Sequence, residues 1–149
     1  MARPPVIPSR LIPRPMVGAG WHFPVGRASE LDQGGEKRVK MAADEMSVRQ
    51  SIEIILSTAK GERVMRPEFG CNLNRLLFSP NSGTTRALAA FEAQEALRTW
   101  EPRIEVLEAG VRADGVAGEL LLIDISYRVR STDNRFNLVY PFYLNRPLV

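Results

Sequence analysis

Thiols and imidazoles are almost missing from this chain: one cysteine, Cys71, and one histidine, His22, stand among 149 residues. A lone cysteine excludes an internal disulfide, and with a single histidine it cannot furnish the ligand set of a zinc site. His22, isolated near the N-terminus, also offers no partner for a serine or cysteine nucleophile. No metal or other cofactor is therefore expected. Long apolar runs are absent too, that around Leu120 to Ile123 being only a few residues. That is far short of the roughly 20 residues needed to cross a bilayer, so no direct membrane insertion is expected. Pro4, Pro5, Pro8, Pro13 and Pro15 interrupt the N-terminus, which consequently has no apolar core of a secretory signal.

Carboxylates are missing from the first 29 residues, which carry Arg3, Arg10, Arg14 and Arg27, whereas the remainder is close to balanced. The overall charge of +3 and a pI near 9.4 come from this asymmetry. Basic charge of this kind follows an acidic protein groove as readily as a phosphate backbone. No zinc finger, aromatic RNA-binding run or helix-turn-helix spacing accompanies it, so no nucleic-acid partner is expected. Six of the eleven prolines fall within the first 24 residues, which favours extended backbone over helix. Residues 1–43 thus read as an extended basic arm and linker, with Gly34-Gly35 as a flexible connector, and residues 44–149 as the folded domain. Trp21 and Phe23 stand out in the arm as aromatic anchors, expected to pack on this domain or, alternatively, on a partner.

The folded part reads as an α+β domain, two main helices packed on a three-stranded antiparallel meander. A first helix is predicted from Asp44 to about Ala59, with Val48, Ile52, Ile55 and Leu56 on one face. Gly61 is placed to end it in a left-handed turn. Leu73, Leu76, Leu77 and Phe78 suggest a short apolar, partly helical segment. A second helix is predicted from Thr84 or Thr85 to Trp100, with Ala90, Ala93, Leu97 and Trp100 as its stripe and Leu88 and Phe91 widening it. Pro102 stops that helix. Three strands follow, from about Ile104 to Val111, through Leu121, Ile123, Ile125, Tyr127 and Val129, and through Phe136, Leu138, Tyr140, Phe142 and Leu144. The clean alternation of the last two puts one face on a core and one in water. Pro141 cannot donate to a ladder on both sides, so the third strand is expected at a sheet edge or beside a bulge.

Two junctions concentrate the charge, Gly and Pro. The run GERVMRPEFGC spans Gly61 to Cys71, and Glu101-Pro102-Arg103 follows the second helix. By spacing alone the tripeptide reads first as a helix stop with two exposed charges. The alternative has Pro102 directing both side chains at complementary groups on another protein. Arg63 and Arg66 read likewise either as solvated loop charges or as docking contacts, and Cys71 as a small buried side chain. Catalysis would have to rest on Glu62, Glu68 or Glu101. Each has an arginine one or two residues away, which lowers a carboxyl pKa and works against a general acid.

The helix VRQSIEIILST from Val48 to Thr58, the GERVMRPEFGC run and Glu101-Pro102-Arg103, in this order, resemble the GPW/gp25 family of contractile injection machines. The likeness spans roughly Met46 to Leu144. It implies a non-enzymatic structural protein of a baseplate, assembled in the bacterial cytoplasm and present in six copies around a central tube. Its implied partners are the baseplate wedge proteins and the sheath protein. By the same resemblance Glu101, Pro102 and Arg103 dock on the wedge core, with Arg63, Arg66 and Glu68 bracing or sharing that contact. The free sheet edge, with Leu138, Tyr140, Pro141, Phe142 and Leu144 on its strand, would accept strands from the first sheath ring and so initiate the sheath. The arm has no counterpart in the short family domain, and its composition suggests a path along a neighbouring baseplate, tube or hub subunit. A cell-wall hydrolase carried by such a machine is the competing expectation.

Overall fold

In the computed structural model the described residues are 18–22, 41–115 and 119–144. Two short strands come first, β1 (Ala19–Trp21) and β2 (Met41–Ala43), paired antiparallel. Helix α1 (Asp44–Ser57) leads through a loop and a 3-10 turn (Asn72–Leu76) to helix α2 (Gly83–Trp100). Strands β3 (Ile104–Asp114), β4 (Leu120–Val129) and β5 (Arg135–Tyr143) then form one antiparallel sheet in the order β3-β4-β5. This is the α+β architecture that the periodicity predicts, with the proline-bearing strand β5 at an edge.

Strand β4 sits centrally and alternates without a break, Leu121, Ile123, Ile125, Tyr127 and Val129 being buried while the residues between them are half-buried. From α1, Val48, Ile52, Ile55 and Leu56 meet this face, and Cys71, Leu73 and Leu76 close it from the connecting segment. Burying each large aliphatic of this set contributes about 1.5–3 kcal/mol, so the single cluster is the main source of stability. Phe78, expected with that segment, is instead 87% exposed.

Three expectations are corrected by main-chain and packing geometry. Helix α1 stops at Ser57, two residues early, because the Thr58 carbonyl accepts from the Cys71 N–H at 2.9 Å and Ala59 bridges Cys71 in parallel. Helix α2 begins at Gly83, since the Ser82 hydroxyl accepts the Thr85 N–H at 3.1 Å and so satisfies one of the free donors of the first turn. Its buried face is Thr85, Ala89, Ala93, Ala96 and Leu97, whereas Ala90 and Trp100 are half-buried and Leu88 and Phe91 are exposed. Small alanine side chains let α2 approach its neighbours closely, and the bulkier residues are left outside.

The arm is tied down by backbone and not by its indole. Trp21 is 71% exposed, against the expectation of packing on this domain, while Gly20 pairs with Ala42 and the Asp44 N–H donates to the Gly18 carbonyl at 3.1 Å. Phe23 and the Gly34-Gly35 connector lie outside the described residues, as does most of the arm.

One glycine is indispensable. Gly70 has φ +108°, and a Cβ there would lie 2.3 Å from the Thr58 carbonyl oxygen. That oxygen is already fixed by Cys71, so it cannot retreat. Gly70→Ala is expected to cost about 3 kcal/mol through strain and lost packing, read as a fall in the denaturant midpoint. Gly110→Ala, in open space at ordinary φ, should leave the midpoint within about 0.5 kcal/mol.

Burial pushes the Cys71 thiol up from its ordinary value, with main-chain hydrogen bonds from Leu73 and Asn72 only partly opposing it. The unfolded chain therefore releases this proton first, and the stabilising difference is lost as pH rises above the ordinary thiol range. Denaturation midpoints measured between pH 7 and 10 should fall for the native chain and fall less steeply for Cys71→Ala. In the native state Cys71 should also resist a soluble thiol reagent that labels it freely once the chain is unfolded.

Candidate functional site

The two charged junctions meet in space. The loop between Thr58 and Cys71 is closed at its neck by the Cys71 to Thr58 bond and higher up by the Gly61 N–H donating to the Pro67 carbonyl at 2.6 Å. Gly61 adopts φ +91°, the left-handed turn expected of it, although it shapes the loop and does not cap the helix. Glu62 faces inward along the loop, its carboxylate accepting from the Ala59 N–H at 2.9 Å. Arg63 folds back so that its guanidinium lies 3.9 Å from the centroid of the Phe69 ring. Phe69 in turn packs against Trp100 at the end of α2, with ring centroids 5.2 Å apart. A bound loop of this kind leaves its tip outside, and Val64 and Met65 are 94% and 91% exposed.

At the other junction α2 ends where Glu101 turns away from helical backbone ahead of Pro102. The chain then doubles back, with the Glu101 N–H donating to Leu97 and the Ile104 N–H to the Glu101 carbonyl. This turn sends the Glu101 side chain inward, where it is 4% exposed. Arg103 clasps it in a fork, Nε to Oε1 and Nη2 to Oε2, both at 2.6 Å. The same guanidinium reaches α1, donating to Ser51 Oγ at 2.9 Å and to Ser47 Oγ at 3.3 Å. The hydrogen bonding of Arg103 to the accepting Glu101 carboxylate is the main cause that raises the Arg103 pKa above its ordinary value, against a smaller opposing effect of burial. Of the two readings open on spacing alone, exposed charges are thus excluded for Glu101, and its carboxylate oxygens are turned into the protein.

Between the two junctions lies a cleft of about 420 Å³, floored by Ile54, Ile55 and Phe69, walled by Trp100 and Pro102, and rimmed by Arg63 and Arg103. Arg63, Glu101, Pro102 and Arg103 are therefore brought together. Glu68 is exposed and faces a neighbouring depression shared with Lys60, Glu95 and Trp100. Arg66 is exposed, and its backbone shapes the loop by bonding Arg63 and Phe69. Of the residues expected at the sheet edge, Leu138, Phe142 and, just past the end of β5, Leu144 are buried and Tyr140 is half-buried, so their side chains serve the core, while Pro141 is exposed. Ser47, Ser51, Phe69 and Trp100 are the contributors that sequence reasoning left unassigned. The spacing of the two serines, four apart beside the apolar stripe of α1, was the available signal.

The model of the family described as baseplate wedge protein gp25 matches residues 42–134, an interval that contains both junctions and most of the sheet. The chain belongs to this family. It is 33% identical over 82 residues to the baseplate wedge protein gp25 of Enterobacteria phage T4, covering 55% of this chain and 62% of that protein. The chain thus spans less than two thirds of that relative's length. A Geobacter sulfurreducens protein of known structure, provisionally named a tail lysozyme, is 53% identical, with a TM-score of 0.66 over 71% of this chain and 96% of that one. A subunit of the anti-feeding prophage baseplate shares the fold at 18% identity, with a TM-score of 0.59 over 88% and 89% of the two chains. Among the described residues of this gp25-family chain no helix is long and apolar enough to cross a membrane.

The geometry makes Glu101 and Arg103 a brace that locks the end of α2 onto α1. Arg103→Ala would strand a carboxylate among apolar neighbours, at a cost of about 3 kcal/mol. Glu101→Ala should cost a comparable amount, and the double variant clearly less than the sum of the two. Denaturant titration of the four proteins measures this coupling. Independent, additive losses would show that the two side chains do not act as one unit.

Proposed function

We propose that this protein is a structural component of the baseplate of a contractile injection system, docking on neighbouring baseplate wedge proteins and starting the sheath. The observation that carries the docking half is the exposed apolar tip, Val64-Met65, standing beside a preformed apolar cleft with a cationic rim. Two large apolar side chains left in water at the end of a rigid loop are a cost unless a partner covers them. The partner surface would receive Val64 and Met65 while inserting an apolar group over Phe69 and Trp100. Glu101 and Arg103 act here by holding the cleft open and rigid, with Arg103 also available at its rim.

The sheath half rests on the sheet edge. A strand from a sheath subunit would add to the meander, main-chain bonds giving affinity and alternate side chains giving register. Four ladder bonds at about 0.5–1.5 kcal/mol net each give modest affinity per copy. Six copies presented around a ring would turn that into a stable first layer by raising the effective concentration of each site for the next. The basic arm, anchored at its base by β1 and carrying exposed Trp21, would run onto an adjacent baseplate, tube or hub subunit.

The provisional name of the Geobacter sulfurreducens relative favours one competing reading, hydrolysis of cell wall. A glycosidase requires two carboxyl groups flanking the sugar bond, one able to give up a proton to the leaving oxygen. In the cleft of this chain the carboxylate is Glu101, and both its oxygens are held by Arg103. That arrangement argues for bracing and against proton donation.

Val64→Asp combined with Met65→Asp should leave the thermal midpoint unchanged, because both positions are exposed, yet exclude the protein from purified particles and leave the sheath unassembled. Normal incorporation of this variant would end the docking proposal. Incubation of the native protein with purified peptidoglycan should release no soluble muropeptides; sustained release abolished by Glu101→Gln in a folded variant would establish the hydrolase instead.

A further inference from the structure

Pro102 borders two hollows. One is the apolar cleft described above; the other is a depression of about 470 Å³ lined by Arg98 of α2, Pro102, Ile104, Glu105 and Val106 of β3, and Arg130. Neither Arg98 nor Arg130 takes part in the brace or in the loop.

Arg130, just past the end of β4, is held from two sides. Its main-chain N–H donates to the Arg103 carbonyl at 2.9 Å and its Nε to the Ile104 carbonyl at 3.2 Å. The guanidinium is thereby anchored through Nε, and among the described residues its two Nη groups meet no acceptor. Arg98 is exposed and makes neither a hydrogen bond nor an ion pair among the described residues. A cation in the last turn of a helix complements the helix dipole, which is reason enough for Arg98. It gives no reason for a second guanidinium, fixed by the main chain beside the brace, in the wall of the same hollow.

The acid of this hollow is already engaged. Glu105 pairs with Arg128, which also holds Asp133 at 2.9 Å. The hydrogen bond and the charge of Arg128 keep the Glu105 carboxyl below its ordinary pKa, so it is an anion at neutral pH. Arg128 and Asp133 cancel, and Arg98 and Arg130 against Glu105 leave one positive charge in excess. A single carboxylate balances that charge. A phosphate dianion or a run of phosphates would exceed it and meet Glu105 at close range. The exposed ring of Pro102 and the half-buried Val106 supply apolar wall for the methylenes of an acidic side chain.

Resting on the docking reading above, we infer that this hollow seats one carboxylate, Asp or Glu, of the same baseplate partner that fills the apolar cleft, and that Arg98 and Arg130 hold it. A partner segment lying across Pro102 reaches both hollows, with its apolar group over Phe69 and Trp100 and its acid on the far side of the proline. Guanidinium groups suit this task because their N–H donors match the two oxygens of a carboxylate. The apolar cleft supplies buried area and the cationic hollow supplies orientation, since a lysine of the wrong partner would be repelled there.

Arg98→Lys in the full-length chain places an amine at the hollow, and a carbodiimide joins an amine to a carboxylate in contact with it without adding a spacer. Treatment of purified particles should give an adduct, absent with the native chain, between position 98 and an Asp or Glu of a neighbouring baseplate protein. No adduct, or adducts only to carboxylates of this chain, would overturn the proposal. Arg98→Glu should leave the isolated protein folded and lower its incorporation into particles at least tenfold, whereas Arg75→Glu, exposed on the 3-10 turn and lining neither hollow, should incorporate normally. Native-level incorporation of Arg98→Glu would end the role of the hollow and leave the loop-tip contact standing. Normal incorporation of the Val64→Asp, Met65→Asp variant together with loss for Arg98→Glu would remove the loop tip and leave the carboxylate seat. Retention of double-stranded DNA by the isolated chain, abolished by Arg98→Glu, would assign the hollow to a phosphate backbone and overturn the protein partner.

Discussion

A single buried carboxylate organises the junction on which this domain turns. Glu101 is carried into the interior by the turn at Pro102 and would be prohibitively expensive there without a partner, since desolvation of an ion is repaid only by close, multiple hydrogen bonds. Arg103 supplies them as a two-pronged fork and then spends further donors on Ser47 and Ser51. The end of α2, the start of β3 and the middle of α1 are thereby joined at one guanidinium. Hydrophobic packing would hold these elements together in many slightly different arrangements; a planar fork with four specified acceptor oxygens admits few. The open cleft beside it inherits that rigidity.

The loop above the cleft obeys a complementary constraint. Its neck is closed by a carbonyl that leaves no room for a side chain at Gly70, and its middle by the Gly61 to Pro67 bond. Arg63 over Phe69, and Phe69 against Trp100, then fasten the loop to α2. Because the base is over-determined, the tip can hold Val64 and Met65 in water without collapsing onto the domain. A preorganised apolar projection of this kind has little conformational entropy left to lose.

Where a pattern repeats, the chain was readable. The buried face of α1, the alternation of β4 and the edge position of the strand bearing Pro141 all follow from periods of 3.6 and 2 and from one missing donor. The face of α2 was not readable in the same way, because hydrophobicity favoured Leu88 and Phe91 while close approach to the core favoured Ala89, Ala93 and Ala96. Packing distance is a property of two elements, and one helix does not carry it. The inward turn of Glu101 was hidden for a similar reason: Arg103, which clasps it, is fixed in turn by Ser47 and Ser51, more than fifty residues from Arg103, and the spacing of those serines on α1 does not show what they meet. Trp21 shows the reverse case, an aromatic that looked like an anchor although the backbone of β1 does the anchoring.

What the amino-acid order alone determined, the short β1–β2 pair aside, was the two main helices and three strands, the membership of the core sheet and the position of the two charged junctions. These depend on neighbours in sequence, through periodicity, through the φ restriction of proline and through the freedom of glycine. Which way a charge points and which alanines form the contact were decided only when the elements packed. Each of those outcomes is set by distances between segments remote in the chain, where desolvation and steric fit act on both partners at once.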